Sequence, residues 1–204
     1  MITVDECPNC GAPAAPSARR CLHCKAEFFV KSLAYAGCME KAAVQKYVTF
    51  YKGLLRKNSD DGEAELALGI CYLDLGLYDL AIKQMDGAIE QIPEQADVYY
   101  YLAVSLFKGR KPRILRLSEV KKIESLLEAA CQLDDSQAKY YYLRALVKYD
   151  YYFKNAMRVV GLGWQALLAE ARERGGASAE LVKLVERVPV GASPVTAAMQ
   201  VVTT

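Results

Sequence analysis

The sequence predicts a mostly α-helical chain with a small cysteine-held module at its N-terminus. Three observations carry this. From Met39 onward, apolar residues recur at spacings of three and four, which places them on one face of successive helices. Glycine and proline break these stretches where a helix has to turn or stop. Four of the seven cysteines lie between residues 7 and 24 as two Cys-x2-Cys pairs.

Composition sets the class. The chain has 204 residues, 53% of them apolar and 25% charged, which suits a folded globular protein. A net charge of +2 does not mark the whole chain as a polyanion binder. No apolar run reaches the roughly 18 residues that a membrane span requires, so no membrane partner is expected. The N-terminus MITVDECPNC lacks the basic flank and apolar core of a secretory leader, so a cytosolic location is expected. Seven cysteines in that compartment point to metal or to buried thiols rather than disulfides.

The N-terminal segment reads CPNCGAPAAPSARRCLHC. Each pair places two thiolates on one side of a tight knuckle, and two facing knuckles give tetrahedral four-sulfur coordination. Gly11 follows the first pair, where the backbone must turn unhindered. Residues 12–17 form the intervening loop, and residues 25–30 (KAEFFV) a short strand. The expected ligands are Cys7, Cys10, Cys21 and Cys24, holding a structural zinc ion. Two pairs at this spacing favour zinc over a redox dithiol. His23, the only histidine, is expected to face solvent on the second knuckle. The segment resembles a small zinc ribbon of the kind found at the N-terminus of bacterial multi-domain proteins. Some ribbons bind nucleic acid, but Arg19 and Arg20 alone offer few phosphate contacts.

The clearest helical pair is Gly62 to Gln95, GEAELALGICYLDLGLYDLAIKQMDGAIEQIPEQ. Gly76 marks the turn and Pro93 the end of the second helix. Gly69 and Ala81 let the two backbones approach, with Tyr72 and Met85 beside them. Leu68, Gly69, Tyr72, Ala81, Met85 and Pro93 stand at the spacing of a tetratricopeptide repeat, which this stretch closely resembles. Glu65 replaces the family tryptophan and Met85 its phenylalanine. The resemblance implies helical hairpins stacked in a short superhelix.

The other elements follow from that repeat. Residues 1–30 are expected to form the ribbon, 31–38 a connector and 39–58 a packing helix. Residues 39–189 make the helical domain. Repeat 62–95 is followed by 96–135, a second repeat with an insertion of about eight residues against the usual 34-residue period. A degenerate third repeat and a C-terminal cap occupy 137–189, with Ser178 capping the last helix. Residues 190–204 are expected to be a loose tail, with a short strand near residues 199–202.

No catalytic constellation is visible. One histidine excludes most histidine-based dyads, and no phosphate-binding glycine loop of usual spacing occurs. Cys38, Cys71 and Cys131 lie in or near apolar stripes and read as core thiols. The chain is therefore expected to be a non-enzymatic adaptor. The resemblance implies a concave groove lined by first helices: Leu66, Ile70 and Leu73, then Tyr100, Val104 and Phe107, then Tyr141, Ala145 and Lys148. Another protein or a peptide segment is the expected occupant. The bland alternative is that the chain's own C-terminal helix or tail fills the groove. Leu66 and Ile70 disfavour a clamp for chaperone tails, which would carry Lys and Asn there.

Charge is uneven. Lys83 stands alone among ten acids between Asp60 and Asp97, while Lys108, Arg110, Lys111, Arg113 and Arg116 crowd the insertion. Self-association through these opposite blocks is one expectation. A nucleic-acid-binding module, built from the ribbon and this insertion, is the rival reading.

Overall fold

The structure is a computed structural model, and its described residues are 5–15, 18–175 and 178–200. They divide into two compact units, Met1–Gln91 and Ile92–Thr204. Helix dominates both, and no strand occurs among the described residues.

The first unit holds the cysteine module, α1 (Leu33–Gly37), α2 (Lys41–Lys57), α3 (Gly62–Asp74) and α4 (Tyr78–Gln91). The expected strand at 25–30 is absent; an isolated bridge pairs Arg20 with Glu27 instead. The segment is too short and too occupied by its own knuckle to build a ladder. The expected connector contains α1, because the Ser32 hydroxyl accepts the Tyr35 N–H at 3.1 Å and caps the first turn.

Helix α3 starts where the Asp61 carboxylate accepts the Ala64 N–H at 3.0 Å. Beyond its C-cap Leu75, Gly76 with φ of +73° closes the last turn. There the Leu77 N–H reaches the Tyr72 carbonyl at 2.8 Å and the Gly76 N–H reaches Leu73 at 3.1 Å. Helix α4 then packs back on α3. Gly69 is the point of closest approach: a Cβ there would lie 2.5 Å from Met85 Cε. Ala81, Met85 and Ala88 are buried on the facing side. Leu80, next to Ala81, is exposed. Helix α4 stops at Gln91, because Ile92 precedes Pro93 and a residue before proline is pushed out of the helical region.

The second unit contains α5 (Ala96–Leu106), a 3₁₀ turn at Pro112–Ile114, α6 (Leu117–Leu133), α7 (Ala138–Val147), α8 (Trp164–Arg174), α9 (Ala179–Arg187) and α10 (Pro194–Gln200). Helices α5 and α6 form one hairpin, α7 and α8 another, and α6 also packs on α7. Helix α7 runs on through a π-helical segment at Lys148–Phe153. Buried Asp150 in that segment accepts the Arg113 N–H at 3.1 Å, and Asn155 donates to the Arg113 carbonyl at 3.3 Å. These bonds dock the insertion on the second unit. Helix α6 begins at Leu117. The Glu119 carboxylate reaches back to the Arg116 N–H at 2.8 Å and also binds Arg110 at 2.7 Å.

The C-terminal stretch is not the expected loose tail over its described residues. Pro194 opens α10, and Ser193 and Thr196 exchange bonds of 2.9 and 3.0 Å between backbone N–H and hydroxyl. Val195 and Met199 are buried, and α10 packs on α7 and α9. Met199 therefore lies in a helix rather than a strand; residues 201–202 of that expectation lie outside the described residues. Ser178 sits at the start of α9, but its side chain makes no cap bond.

Candidate metal centre and helical surfaces

The two Cys-x2-Cys pairs fold alike, at a sequence offset of 14. In the first knuckle the Gly11 N–H bonds the Cys7 carbonyl at 2.9 Å, and the Cys7 N–H bonds Ala12 at 2.8 Å. In the second, Lys25 bonds Cys21 at 3.1 Å, and Cys21 bonds Ala26 at 2.8 Å. Gly11 and Lys25 hold the same left-handed turn, with φ of +71° and +62°. Glycine suits that position; Lys25 accepts the strain and donates its ammonium to the Leu22 carbonyl at 2.7 Å.

The knuckles bring all four sulfurs within 4.8 Å of one another. Cys7 and Cys24 stand 3.6 Å apart, Cys10 and Cys21 3.7 Å. Disulfides require about 2.05 Å, so these are separate thiols. A tetrahedron of sulfurs at about 2.3 Å from zinc has edges of roughly 3.8 Å. The four cysteines can therefore hold a metal ion, and their spacing is compatible with zinc. Among the described residues this is the only such group, and exposed His23 stands outside it.

Electrostatics at the sulfurs are uneven. Burial pushes the Cys7 thiol up to about 12, against N–H groups of Cys10 and Asn9. The Ala26 N–H brings Cys24 down to about 6. The Cys24 N–H lowers Cys21. A bound cation would deprotonate the set, and these N–H groups would share the thiolate charge. Beneath the sulfurs, buried Cys7, Cys21 and Phe28 form a miniature core with Phe29, Phe50 and three alanines at its edge.

Three tyrosines fix this module to the helices, a role its apolar pattern did not reveal. Tyr47 donates to the Glu27 carbonyl at 2.5 Å. The Tyr51 hydroxyl donates to Phe28 at 2.9 Å and accepts from the Val30 N–H at 2.8 Å. Tyr35 accepts from the Glu27 N–H at 2.8 Å. A cleft of about 430 Å³ lies between the first knuckle and α2, and Lys46 crosses it to the Asn9 carbonyl at 3.1 Å.

The nine residues expected to line a groove are mostly core. Ile70, Leu73, Tyr100, Val104, Phe107, Tyr141 and Ala145 are buried, and Leu66 is half-buried. Lys148 is turned onto Glu124 at 2.6 Å and lies 4.7 Å from the Tyr152 ring. In the second unit, α9 and α10 lie against α7, and Tyr101 donates to Glu180 on α9 at 2.7 Å. An open apolar groove is therefore not presented by these side chains. Cys71 and Cys131 are buried as expected, while Cys38 is exposed.

The basic insertion is partly spent on structure. Arg110 is bound to Glu119, and Leu115 is buried, but Lys108, Arg113 and Arg116 face outward. Lys111 is half-buried. In the cysteine module, Arg20 pairs with Glu27 at 2.9 Å.

Glu65 on α3 is half-buried. Its Oε2 is buried without a hydrogen-bond partner. A Cβ at Gly87 would lie 2.4 Å from its Oε1, so the glycine makes its space. Burial first, then Glu90, Asp60 and Asp61, raise this carboxyl above the ordinary value. A raised carboxyl binds its proton more tightly folded than unfolded, so stability rises as pH falls through the raised value. Glu65→Gln should melt higher than the parent at neutral pH, with the gap closing as the pH falls toward the ordinary carboxylate range. Thermal denaturation across that range checks it; a variant no more stable at neutral pH refutes the burial penalty.

No family model matches the chain, and no curated protein matches it.

Proposed function

We propose that the chain is a non-catalytic protein-binding adaptor, in which a structural zinc ribbon is fixed to tetratricopeptide-like hairpins. The recurring hairpins α3/α4, α5/α6 and α7/α8 support the helical-repeat reading, with Gly69 and Met85 packed as the repeat resemblance implies. Four thiolates would leave zinc no open position, so the metal's role is to hold the fold.

The observation that carries the binding role is the acidic surface of the α3/α4 hairpin. Between residues 60 and 91 there are eight acids and one base, Lys83. Asp79, Lys83, Asp86 and Glu90 are all exposed and, at spacings of four, three and four, share one face of α4. Such a stripe fits a basic segment of a partner protein, steered by charge. With the first-helix residues buried, this polar face replaces the apolar groove as the docking surface.

The test is capture from native cytosol with the full chain and with Asp86→Lys plus Glu90→Lys. A protein retained by the parent, released by salt and lost in the reversed variant supports the adaptor. Equal capture by both chains, or recovery that vanishes on nuclease treatment, overturns it in favour of another face or of nucleic acid.

A further inference from the structure

We propose that one end of the second unit, formed by residues 153–162 and the turn at Pro112–Ile114, docks on an anionic lipid surface. Five bulky apolar side chains stand out there: Val160 is 81% exposed, Ile114 64%, Phe153 57%, Leu162 51% and Met157 39%. Soluble proteins rarely gather such residues on one face without a partner for it.

The exposed residues are mounted on a fixed frame. The Met157 N–H closes the preceding helix on the Tyr152 carbonyl at 2.9 Å, with Ala156 in the left-handed region at φ +52°. Lys148 holds the Val160 carbonyl at 3.1 Å. Tyr149, Phe153 and Trp164 pack ring to ring at 5.2 to 6.1 Å. The Asp150 and Asn155 bonds to the Arg113 backbone bring the Ile114 turn to the same end.

Charge selects the occupant. Arg113, Lys154 and Arg158 are exposed beside these side chains. No acid occurs from Tyr151 to Ala169, nor from Phe107 to Ser118. Asp150 is buried and Glu124 is held by Lys148. Protruding aliphatic tips beside cations match the boundary between anionic headgroups and acyl chains. They match nucleic acid poorly, since four of the five tips have no ring on which a base can stack. The contact is peripheral; among the described residues no helix is long and apolar enough to cross a membrane.

Trp164, the only tryptophan, lies 6.1 Å from Phe153 and reports on the site directly. The full chain would be mixed with phosphatidylcholine vesicles, with and without roughly 30% phosphatidylglycerol. Co-sedimentation at least about tenfold stronger on the anionic vesicles, weakened by salt, with a blue shift of Trp164 emission, is expected. Val160→Asp with Leu162→Asp should abolish binding while circular dichroism stays helical. Lys154→Glu with Arg158→Glu should cut it by about tenfold or more. The proposal is overturned if anionic vesicles bind no better than neutral ones, or if the Asp variant binds like the parent. It is equally overturned if these residues instead mediate a dimer, or hold an acidic peptide or oligonucleotide, while vesicles stay unbound.

Discussion

Replacing Cys10 and Cys24 by serine is expected to abolish metal binding and unfold the N-terminal module. The module is small, and its core is Cys7, Cys21 and Phe28 with a few partly buried neighbours. A segment of about 30 residues cannot bury enough apolar surface to fold alone. Metal binding to such a site supplies roughly 10–16 kcal/mol of apparent free energy, which makes it folding energy. The loss should spread into the helices, because Tyr35, Tyr47 and Tyr51 spend their hydroxyls on residues 27–30. Each buried hydroxyl left without a partner costs about 1–3 kcal/mol. The checks are metal content by elemental analysis and thermal unfolding with and without a chelator. Chelation should lower the melting temperature of the parent and leave the serine variant unmoved. A parent that purifies without metal and ignores the chelator would sink the structural-metal reading.

The four-cysteine cluster was legible because spacing alone sets it. Two Cys-x2-Cys pairs define two knuckles, and the chain between them only has to return. The α3/α4 hairpin was legible for a similar reason: Gly69, Gly76, Ala81 and Pro93 are each required by a local constraint. What escaped was anything that depends on who covers whom. The repeat resemblance assigned Tyr100 and Tyr141 to a ligand-binding groove, but a buried face and a ligand-binding face have the same period. Of the covering elements, α9 was expected as part of the C-terminal cap, while α10 was hidden by weak local signals. In α10 the pattern Ser193-Pro194-x-Thr196 did encode a helix start, with proline at the first position and a hydroxyl at the third. The mixed Gly, Ala and Pro composition around it masked the signal. Hydroxyl roles were also invisible: nothing in the stripe of α2 says that Tyr47 and Tyr51 end on the carbonyls of Glu27 and Phe28.

The placement of Tyr100 and Tyr141 has a direct consequence for their removal. Tyr100 is fully enclosed, with ring contacts to Tyr101 at 5.0 Å and Tyr140 at 5.3 Å and Lys139 at 5.1 Å from its centroid. Tyr141 is buried under the Arg174 guanidinium, 4.1 Å from its ring centre. Truncating a buried aromatic to alanine costs about 3–5 kcal/mol, through lost transfer energy and the cavity left behind. Two such losses approach the roughly 5–15 kcal/mol that keeps an entire domain folded. Tyr100→Ala with Tyr141→Ala is therefore expected to melt the second unit, with helical circular dichroism lost near room temperature and each single variant intermediate. If these side chains lined an open groove, the same pair would leave the melting curve in place and remove only a bound partner. Urea titration of the two single variants and the pair separates these outcomes. A native midpoint in the double variant would reopen the groove and return the docking surface to the first helices.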